Sequence, residues 1–152
     1  MADEVWIPQA AVEETLREYG YKGKVEVVDN GSDFAGNIPV EQLRRSARDK
    51  LRLPSDEFMF LFVGQHIWEK NLEFLLEALA EIRTLPFRMY FIGSGYAASE
   101  LRRKTEDLYL TDKVIFMGSI TERERLKLYY AAADLFLFPS LYDNAPLVVR
   151  EA

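Results

Sequence analysis

Cysteine is absent from the 152 residues of this chain, and histidine occurs once, as His66. The lack of cysteine excludes disulfide bonds, zinc–thiolate sites and a cysteine nucleophile. A single histidine excludes a metal site built from several imidazoles. No apolar run is long enough to span a bilayer as a helix, and the first residues, MADEVW, lack the features of a signal peptide. We therefore expect an intracellular, cytoplasmic protein.

The chain also lacks a surplus of positive charge. It has 19 Lys and Arg against 25 Asp and Glu, a formal net charge of −6. Nucleic-acid-binding domains usually carry a basic surplus, so we expect no nucleic-acid partner. Hydrophobic residues make up 49% of the chain and charged residues 29%, values typical of a single globular domain of this length.

One phosphate-binding motif and one metal-binding motif are missing from the chain. It has no GxxxxGK[ST] loop, which argues against a P-loop nucleoside triphosphatase. It has no Asp-x-Asp pair to hold a divalent cation against a diphosphate, so we expect neither a metal nor another cofactor. Gly93-Ser94-Gly95 matches only half of the dinucleotide-binding fingerprint, which is a weak signal.

From residue 58 onward, continuous apolar runs alternate with helical patterns. Such runs are typical of strands buried on both faces of a parallel sheet, and helical connections between them are right-handed. The fold class predicted is therefore α/β, a doubly wound parallel sheet. The predicted strands are 58–63, 88–92, 113–117 and 134–138, and the predicted helices are 72–82, 98–109 and 122–133, the last with Thr121 as its N-cap.

The first third of the chain is less regular. It predicts a helix at 9–19, a strand at 24–28, a turn at 29–34 around Asn-Gly, and a helix at 39–51 that starts near a proline. We therefore expect a single domain, 1–152, with an opening segment, 1–57, and a regular βα core, 58–152.

Small residues follow each predicted core strand. Ligands of open α/β sheets bind beyond the carboxyl ends of the strands, where glycine allows close approach and helix N-termini attract anions. Two interpretations remain: tight strand-to-helix turns, which is the commoner role of any one glycine, or a binding edge for a phosphate-bearing ligand, which the set as a whole favours. The residues are Gly64, Gly93-Ser94-Gly95, Gly118 and Pro139-Ser140.

Three charged residues near this edge are candidates for ligand contacts. Lys70, at the start of a predicted helix, is either a diphosphate contact or a solvated surface lysine. Asp143 and Glu151 are either hydrogen-bond acceptors for sugar hydroxyls or an N-cap and an exposed helical glutamate. His66 is predicted to be a surface or partly packed residue rather than a catalyst.

Five stretches of the chain, in order, resemble the C-terminal half of the retaining glycosyltransferases with the GT-B fold, which form group 1, or family 4 in the usual sequence grouping. The main resemblance extends from Phe60 to Ala152, and one stretch lies upstream. The stretches are VEVVDNGSDF, FVGQHIWEKNLEFLLEAL, FIGSGYAASEL, DKVIFMGSI and YYAAADLFLFPSLYDNAPLVVREA.

This resemblance implies roles for the charged candidates. Lys70 contacts the diphosphate of a nucleotide-sugar donor. The family usually has an arginine where Gln65 stands, so one cationic contact is lost. The family also has two glutamates eight residues apart: the shorter Asp143 replaces the one that contacts the donor sugar, and Glu151 corresponds to the one that contacts the ribose.

The same resemblance implies a donor site lined by loops that follow the strands. The loop Gly118-Ser119-Ile120 lies beside the nucleotide base, and Gly64, Gly93 and Gly95 belong to the donor site. Transfer in this family retains the anomeric configuration and needs no bound metal. The partners expected are a nucleotide-sugar donor and an acceptor that is a glycan, a lipid or a small molecule.

The resemblance also implies that parts of the family architecture are missing. Further helices and strands follow the position of Ala152 in the family, so we expect an incomplete sheet and an apolar surface able to self-associate. The acceptor-binding N-terminal domain, the only expected route to peripheral membrane contact, is absent, so we expect no turnover by this chain alone. Alternative functions are another GT-B enzyme, such as an epimerase or a phosphorylase, and a non-catalytic nucleotide-binding domain.

Overall fold

The computed structural model of the chain describes residues 2–32, 34 and 39–152. Their contacts separate a smaller unit, the described residues of 1–33 with Asp143–Glu151, from a larger unit, the described residues of 34–142. None of the described helices is long and apolar enough to cross a membrane. The elements, in chain order, are β1 (Glu4–Ile7), α1 (Ala11–Glu18), β2 (Lys24–Val27), α2 (Val40–Leu51), β3 (Phe58–Val63), a 3-10 turn (Trp68–Lys70), α3 (Leu72–Glu81), β4 (Phe87–Ile92), α4 (Ala98–Asp107), β5 (Val114–Gly118), α5 (Arg123–Ala132), β6 (Leu135–Phe136) and α6 (Leu147–Glu151).

The larger unit is built on a four-stranded sheet in the order β5-β4-β3-β6, and every pairing is parallel. The chain steps from β3 to β4 to β5 in one direction and then returns to the other side of β3 as β6. Because each crossover is right-handed, this reversal puts connecting helices on opposite faces of the sheet. Accordingly, α3 contacts α4, and α2 contacts α5.

Both faces of the larger sheet are buried, as the continuous apolar runs predict. On one face Phe62 and Phe91 are fully buried, with ring centroids 5.9 Å apart, and on the other Tyr90 packs 5.9 Å from Tyr129 of α5. Burying each large side chain stabilises the fold by about 2 kcal/mol. The first face and its helices bury Phe62, Leu72, Leu75, Leu76, Leu79, Ala80, Phe87, Met89, Phe91, Ala97, Leu101, Leu110 and Val114.

A buried arginine joins α2 to the sheet. Arg48, only 8% exposed, donates from Nε to the carbonyl of Ala132 at 3.0 Å and pairs through Nη2 with the carboxylate of Asp134. That carboxylate also accepts a 2.7 Å hydrogen bond from the backbone amide of Met59. Because both members of the ion pair are also hydrogen-bonded to backbone groups, the pair fixes α2 against the starts of β3 and β6.

The smaller unit holds a second parallel sheet made of β1 and β2 alone. The segment after β2 contacts the 143–151 segment: Asn30 donates from Nδ2 to the carbonyl of Ala145 at 3.2 Å, and Arg150 bonds the carbonyl of Asn30 and the carboxylate of Asp29. Of the turn predicted at 29–34, residues 29–32 have no assigned turn and Asp33 lies outside the described residues, but the segment bonds residues more than a hundred positions away.

An apolar groove of about 380 Å³ lies between α3 and the segment 137–139, which follows β6. The predicted self-association requires an exposed apolar surface of this kind. The self-association itself stays a prediction. The residues that line it are Phe60, Phe74, Leu75, Ala78, Leu79, Ile82, Leu137, Phe138 and Pro139.

The predicted α/β class and every predicted core element are confirmed, with shifted boundaries at the ends. The strand predicted at 58–63 has those bounds. The strand predicted at 134–138 is assigned only at Leu135–Phe136, although its backbone bonds to β3 continue from Asp134 to Leu137. The division into 1–57 and 58–152 stays a prediction.

One local prediction about an element was wrong, and one element was missed. Thr121 is not the N-cap of α5, because the helix begins at Arg123 with Glu122 in the cap position. The strand β1 was not predicted, because its four residues have no clear apolar alternation and it exists through pairing with β2, twenty positions later.

Replacing Arg48 with methionine should lower the free energy of unfolding by about 3 kcal/mol, because the change leaves the Asp134 carboxylate half-buried without its main partner. Urea unfolding of the two proteins measures the difference. Arg45→Met is the matched control: Arg45 lies on the same helix but is exposed, and its loss should change stability by less than about 0.5 kcal/mol. Equal effects of the two substitutions would contradict the anchoring role.

Candidate functional site

The carboxyl ends of the four larger-unit strands meet at one edge of the sheet. The strand order reverses between β3 and β6, and ligands of open α/β sheets bind in the crevice at such a reversal. The loops at this edge are 64–71, 93–97, 118–122 and 137–142, which contain most of the site residues predicted from the sequence.

Glycines let two of these loops approach each other closely. A Cβ on Gly93 would lie 1.9 Å from the carbonyl oxygen of Gly64, and a Cβ on Gly95 would lie 2.3 Å from that of His66. Gly118 has a φ of 71°, which disfavours other residues. The structure thus gives a packing reason for Gly93 and Gly95 and a conformational reason for Gly118. The ligand role of these glycines stays a prediction.

Hydrogen bonds continue the sheet ladder into the loops. The amide of His66 bonds the carbonyl of Ser94 and the amide of Ala97 bonds the carbonyl of His66, both at 3.0 Å. The hydroxyls of Ser94 and Ser119 lie 2.9 Å apart and link the loops after β4 and β5. The predicted residues Gly64, Gly93, Gly95, Gly118 and Ser119 are therefore brought together, and Ile120 follows them on the same loop.

Lys70 closes the 3-10 turn that leads from β3 to α3. Its amide bonds the carbonyl of Ile67 at 3.1 Å, and its ammonium lies 5.3 Å from the ring centroid of Phe138, which follows β6. Lys70 therefore lies at the reversal of strand order, two residues before α3 begins. The N-cap residues Asn71 of α3 and Glu122 of α5 make no capping hydrogen bond with their side chains, and helix N-termini attract anions.

Gln65 has an exposed side chain on the same loop. Asp143 and Glu151, in contrast, belong to the smaller unit, where Asp143 accepts a 3.2 Å hydrogen bond from the amide of Asn144, and Glu151 is the last residue of α6. Their assigned roles stay predictions. Arg150, which bonds this segment to the residues after β2, is not predicted from the sequence because its partner residues are about 120 positions away.

His66 is buried, which contradicts the prediction of a surface or partly packed residue. It is only 1% exposed, and its ring lies among Phe62, Phe91 and Phe116 at centroid distances of about 6 Å. Its Nε2 atom has no hydrogen-bond partner among the described residues. Burial, and then the charge of Arg102, hold the pKa of His66 below its ordinary value.

No metal site is evident in the described ranges. Within residues 2–32, 34 and 39–152, no three His, Cys, Asp or Glu side chains are grouped so that they could hold an ion. The prediction that the protein works without a metal stays a prediction.

The arrangement of the larger unit, a parallel sheet with its loop edge at a reversal of strand order, defines the class of Rossmann-like nucleotide-binding folds. A sequence profile described as "Glycosyl transferases group 1" matches residues 44–152, and the chain belongs to that family. The predicted enzyme class is thus confirmed at the level of the family.

Relatives and solved structures agree with this assignment. The chain is 31% identical over 133 residues to an uncharacterised glycosyltransferase of Methanocaldococcus jannaschii, covering 85% of this chain and 34% of the relative. It superposes on sucrose-phosphate synthase from Thermosynechococcus elongatus with a TM-score of 0.81 and 30% identity, covering 99% of this chain and 38% of the other.

A more distant neighbour is the Anabaena protein HepE in complex with UDP-glucose. The TM-score is 0.80 at 20% identity, over 99% of this chain and 42% of that one. These superpositions confirm the Rossmann-like half of the GT-B fold. The chain spans about a third of the length of its curated relatives.

Stability should decrease as the pH falls below about 6.5, because His66 must be neutral in its apolar pocket. The pKa of His66 is lower in the folded protein than in the unfolded chain, where it is 6.5. The contribution of neutral His66 to the free energy of unfolding is therefore fully present above pH 6.5. It is lost as the pH falls from there through the lower folded pKa. At about pH 5.5 the loss amounts to at most about 1.4 kcal/mol.

His66→Phe keeps an aromatic ring in the pocket and removes the titrating group. Urea unfolding of both proteins at about pH 7.5 and about pH 5.5 should show the smaller pH dependence in the variant. The carboxylates titrate alike in both proteins and cancel in the comparison. Equal pH dependence of the two proteins would show that His66 does not contribute.

Proposed function

We propose that this chain supplies the nucleotide-sugar-binding half of a glycosyltransferase that transfers a sugar to an acceptor with retention of anomeric configuration. The observation that carries the proposal is the family match over residues 44–152, together with the position of Lys70 at the reversal of strand order. The neighbour that holds UDP-glucose supports a nucleoside diphosphate sugar as the class of donor.

In the proposed mechanism, the diphosphate gains negative charge as its bond to the sugar breaks. The ammonium of Lys70 and the first-turn amides of α3 stabilise that charge, and they do so more strongly in the transition state than in the bound donor. Lys70 is suited to this role because its turn is fixed by backbone hydrogen bonds before any ligand arrives.

The remaining roles follow the family resemblance. Glu151 orients the ribose and Asp143 the sugar, with a reach shorter by one methylene than the usual glutamate. The loop of Gly118, Ser119 and Ile120 lies beside the base. We also propose that transfer needs no bound metal, since the chain has no Asp-x-Asp pair and the charge of the diphosphate is met by Lys70 and helix amides.

Gln65 favours a second candidate, a domain that binds the nucleotide without transferring the sugar. It stands where the family usually has a diphosphate-binding arginine, and it is neutral and exposed. Losing a cation from the diphosphate site weakens charge stabilisation in the transition state. Donor binding without any transfer by the full-length protein would favour this candidate.

Lys70→Ala should lower the rate of sugar transfer about tenfold or more, equal to ~1.4 kcal/mol of transition-state stabilisation. The reason is the loss of the cation that meets the leaving diphosphate. The measurement is a radiolabelled-sugar transfer assay on a glycosyltransferase in which this chain forms the donor-binding half.

Lys50→Ala provides the control for this assay. Lys50 is an exposed lysine at the end of α2 and belongs to none of the loops assigned to the donor site, so its loss should leave the rate unchanged. A decrease of less than about tenfold in Lys70→Ala would count against the role of Lys70. A comparable decrease in both variants would indicate a general effect of removing positive charge.

A further inference from the structure

The 3-10 turn that carries Lys70 is held on one side by a tyrosine from the loop after β4. The hydroxyl of Tyr96 accepts a 3.3 Å hydrogen bond from the amide of Trp68 and donates a 2.9 Å hydrogen bond to the carboxylate of Glu69. A single hydroxyl thus bonds the two residues that immediately precede Lys70. The two hydrogen bonds join residues that are 28 and 27 positions apart in the chain.

The same turn is held on its other side by the loop after β6. The carbonyl oxygen of Glu69 accepts hydrogen bonds from the amide of Leu141 at 3.0 Å and from the hydroxyl of Ser140 at 3.3 Å. Glu69 therefore bonds the β4 loop through its side chain and the β6 loop through its backbone. The turn is fixed from both sides of β3.

Packing does not account for Tyr96. Its side chain is 62% exposed, and its ring meets Trp68 at a centroid distance of 6.5 Å without entering the core. A hydrogen bond from its own backbone amide, and then the one from the Tyr96 hydroxyl, lower the pKa of the Glu69 carboxyl, which favours its ionised, accepting form.

We propose that Tyr96 and Glu69 are positioning residues that hold the turn in the conformation in which Lys70 meets the donor diphosphate. The proposal rests on the donor-binding function proposed above. Neither residue touches the donor in this account. They act by fixing the backbone before binding, so that less conformational freedom is lost when the donor arrives.

The test uses two readouts on the 152-residue chain: amide hydrogen exchange at Trp68 without ligand, and affinity for UDP-glucose by NMR titration. Tyr96→Phe keeps the ring and removes both hydrogen bonds. We expect faster exchange at Trp68 and an affinity about fivefold weaker, the effect of a lost hydrogen bond. Tyr109→Phe, at a tyrosine that is 82% exposed and outside the loop edge, should change neither readout.

The conservative variant of Glu69 distinguishes hydrogen bonding from charge. Glu69→Gln keeps an oxygen that accepts from the Tyr96 hydroxyl, whereas Glu69→Ala does not. We expect the glutamine variant to lie closer to the wild type in both readouts. If the two variants weaken binding equally, the hydrogen bond is not the cause and the positioning role of Glu69 is overturned.

A double-mutant cycle with Lys70→Ala shows whether Tyr96 acts through the lysine. If it does, Tyr96→Phe should weaken UDP-glucose binding in the wild type and have no further effect in Lys70→Ala. The same loss in both backgrounds would overturn the proposal, as would unchanged exchange at Trp68. Because exchange is measured without ligand, a wild-type chain that does not bind UDP-glucose counts against the proposed donor function instead.

Discussion

The close approach of the loops after β3 and β4 is the constraint on which the loop edge depends. A Cβ at position 93 or 95 would overlap the backbone of the neighbouring loop, so these two positions require glycine. This approach lets the sheet hydrogen bonds continue past the last strand residues to His66. With the path of 64–66 fixed, the following turn is placed where Tyr96 can bond it, and Lys70 is fixed in turn.

His66 shows the cost of this arrangement. Its backbone amide and carbonyl bind the β4 loop, while its ring lies in an aromatic pocket with Nε2 unpaired among the described residues. An unsatisfied buried polar group typically costs about 1–3 kcal/mol, which an apolar side chain would avoid. The backbone contacts explain why the chain is fixed at this place.

Much of the larger unit could be predicted from sequence because its signals are local. The run FMFLFV predicts a strand at 58–63 since six consecutive apolar residues are typical of a parallel strand covered on both faces. The position of the candidate binding loops at one edge of the sheet follows from the strand and helix alternation alone. The resemblance to group 1 glycosyltransferases, carried by motifs in those loops, is confirmed by the family match.

The contacts that the sequence does not reveal are those between residues far apart in the chain. Arg48 and Asp134 are 86 positions apart, and each alone resembles an ordinary surface charge. Tyr96 and Glu69 belong to loops after different strands, so no local periodicity relates them. His66 was placed wrongly for the same reason, since its burial depends on aromatic rings from three strands.

The central claim is that the loop edge of the larger unit binds the diphosphate of a nucleotide sugar. Amide chemical-shift mapping of the isotope-labelled chain with UDP, GDP, ADP and CMP, and with the corresponding sugar nucleotides, tests it most directly. The account predicts that at least one nucleotide causes saturable shifts concentrated in residues 64–71, 93–96 and 118–120. Saturable shifts confined to other parts of the chain, or no shifts with any nucleotide, would contradict it.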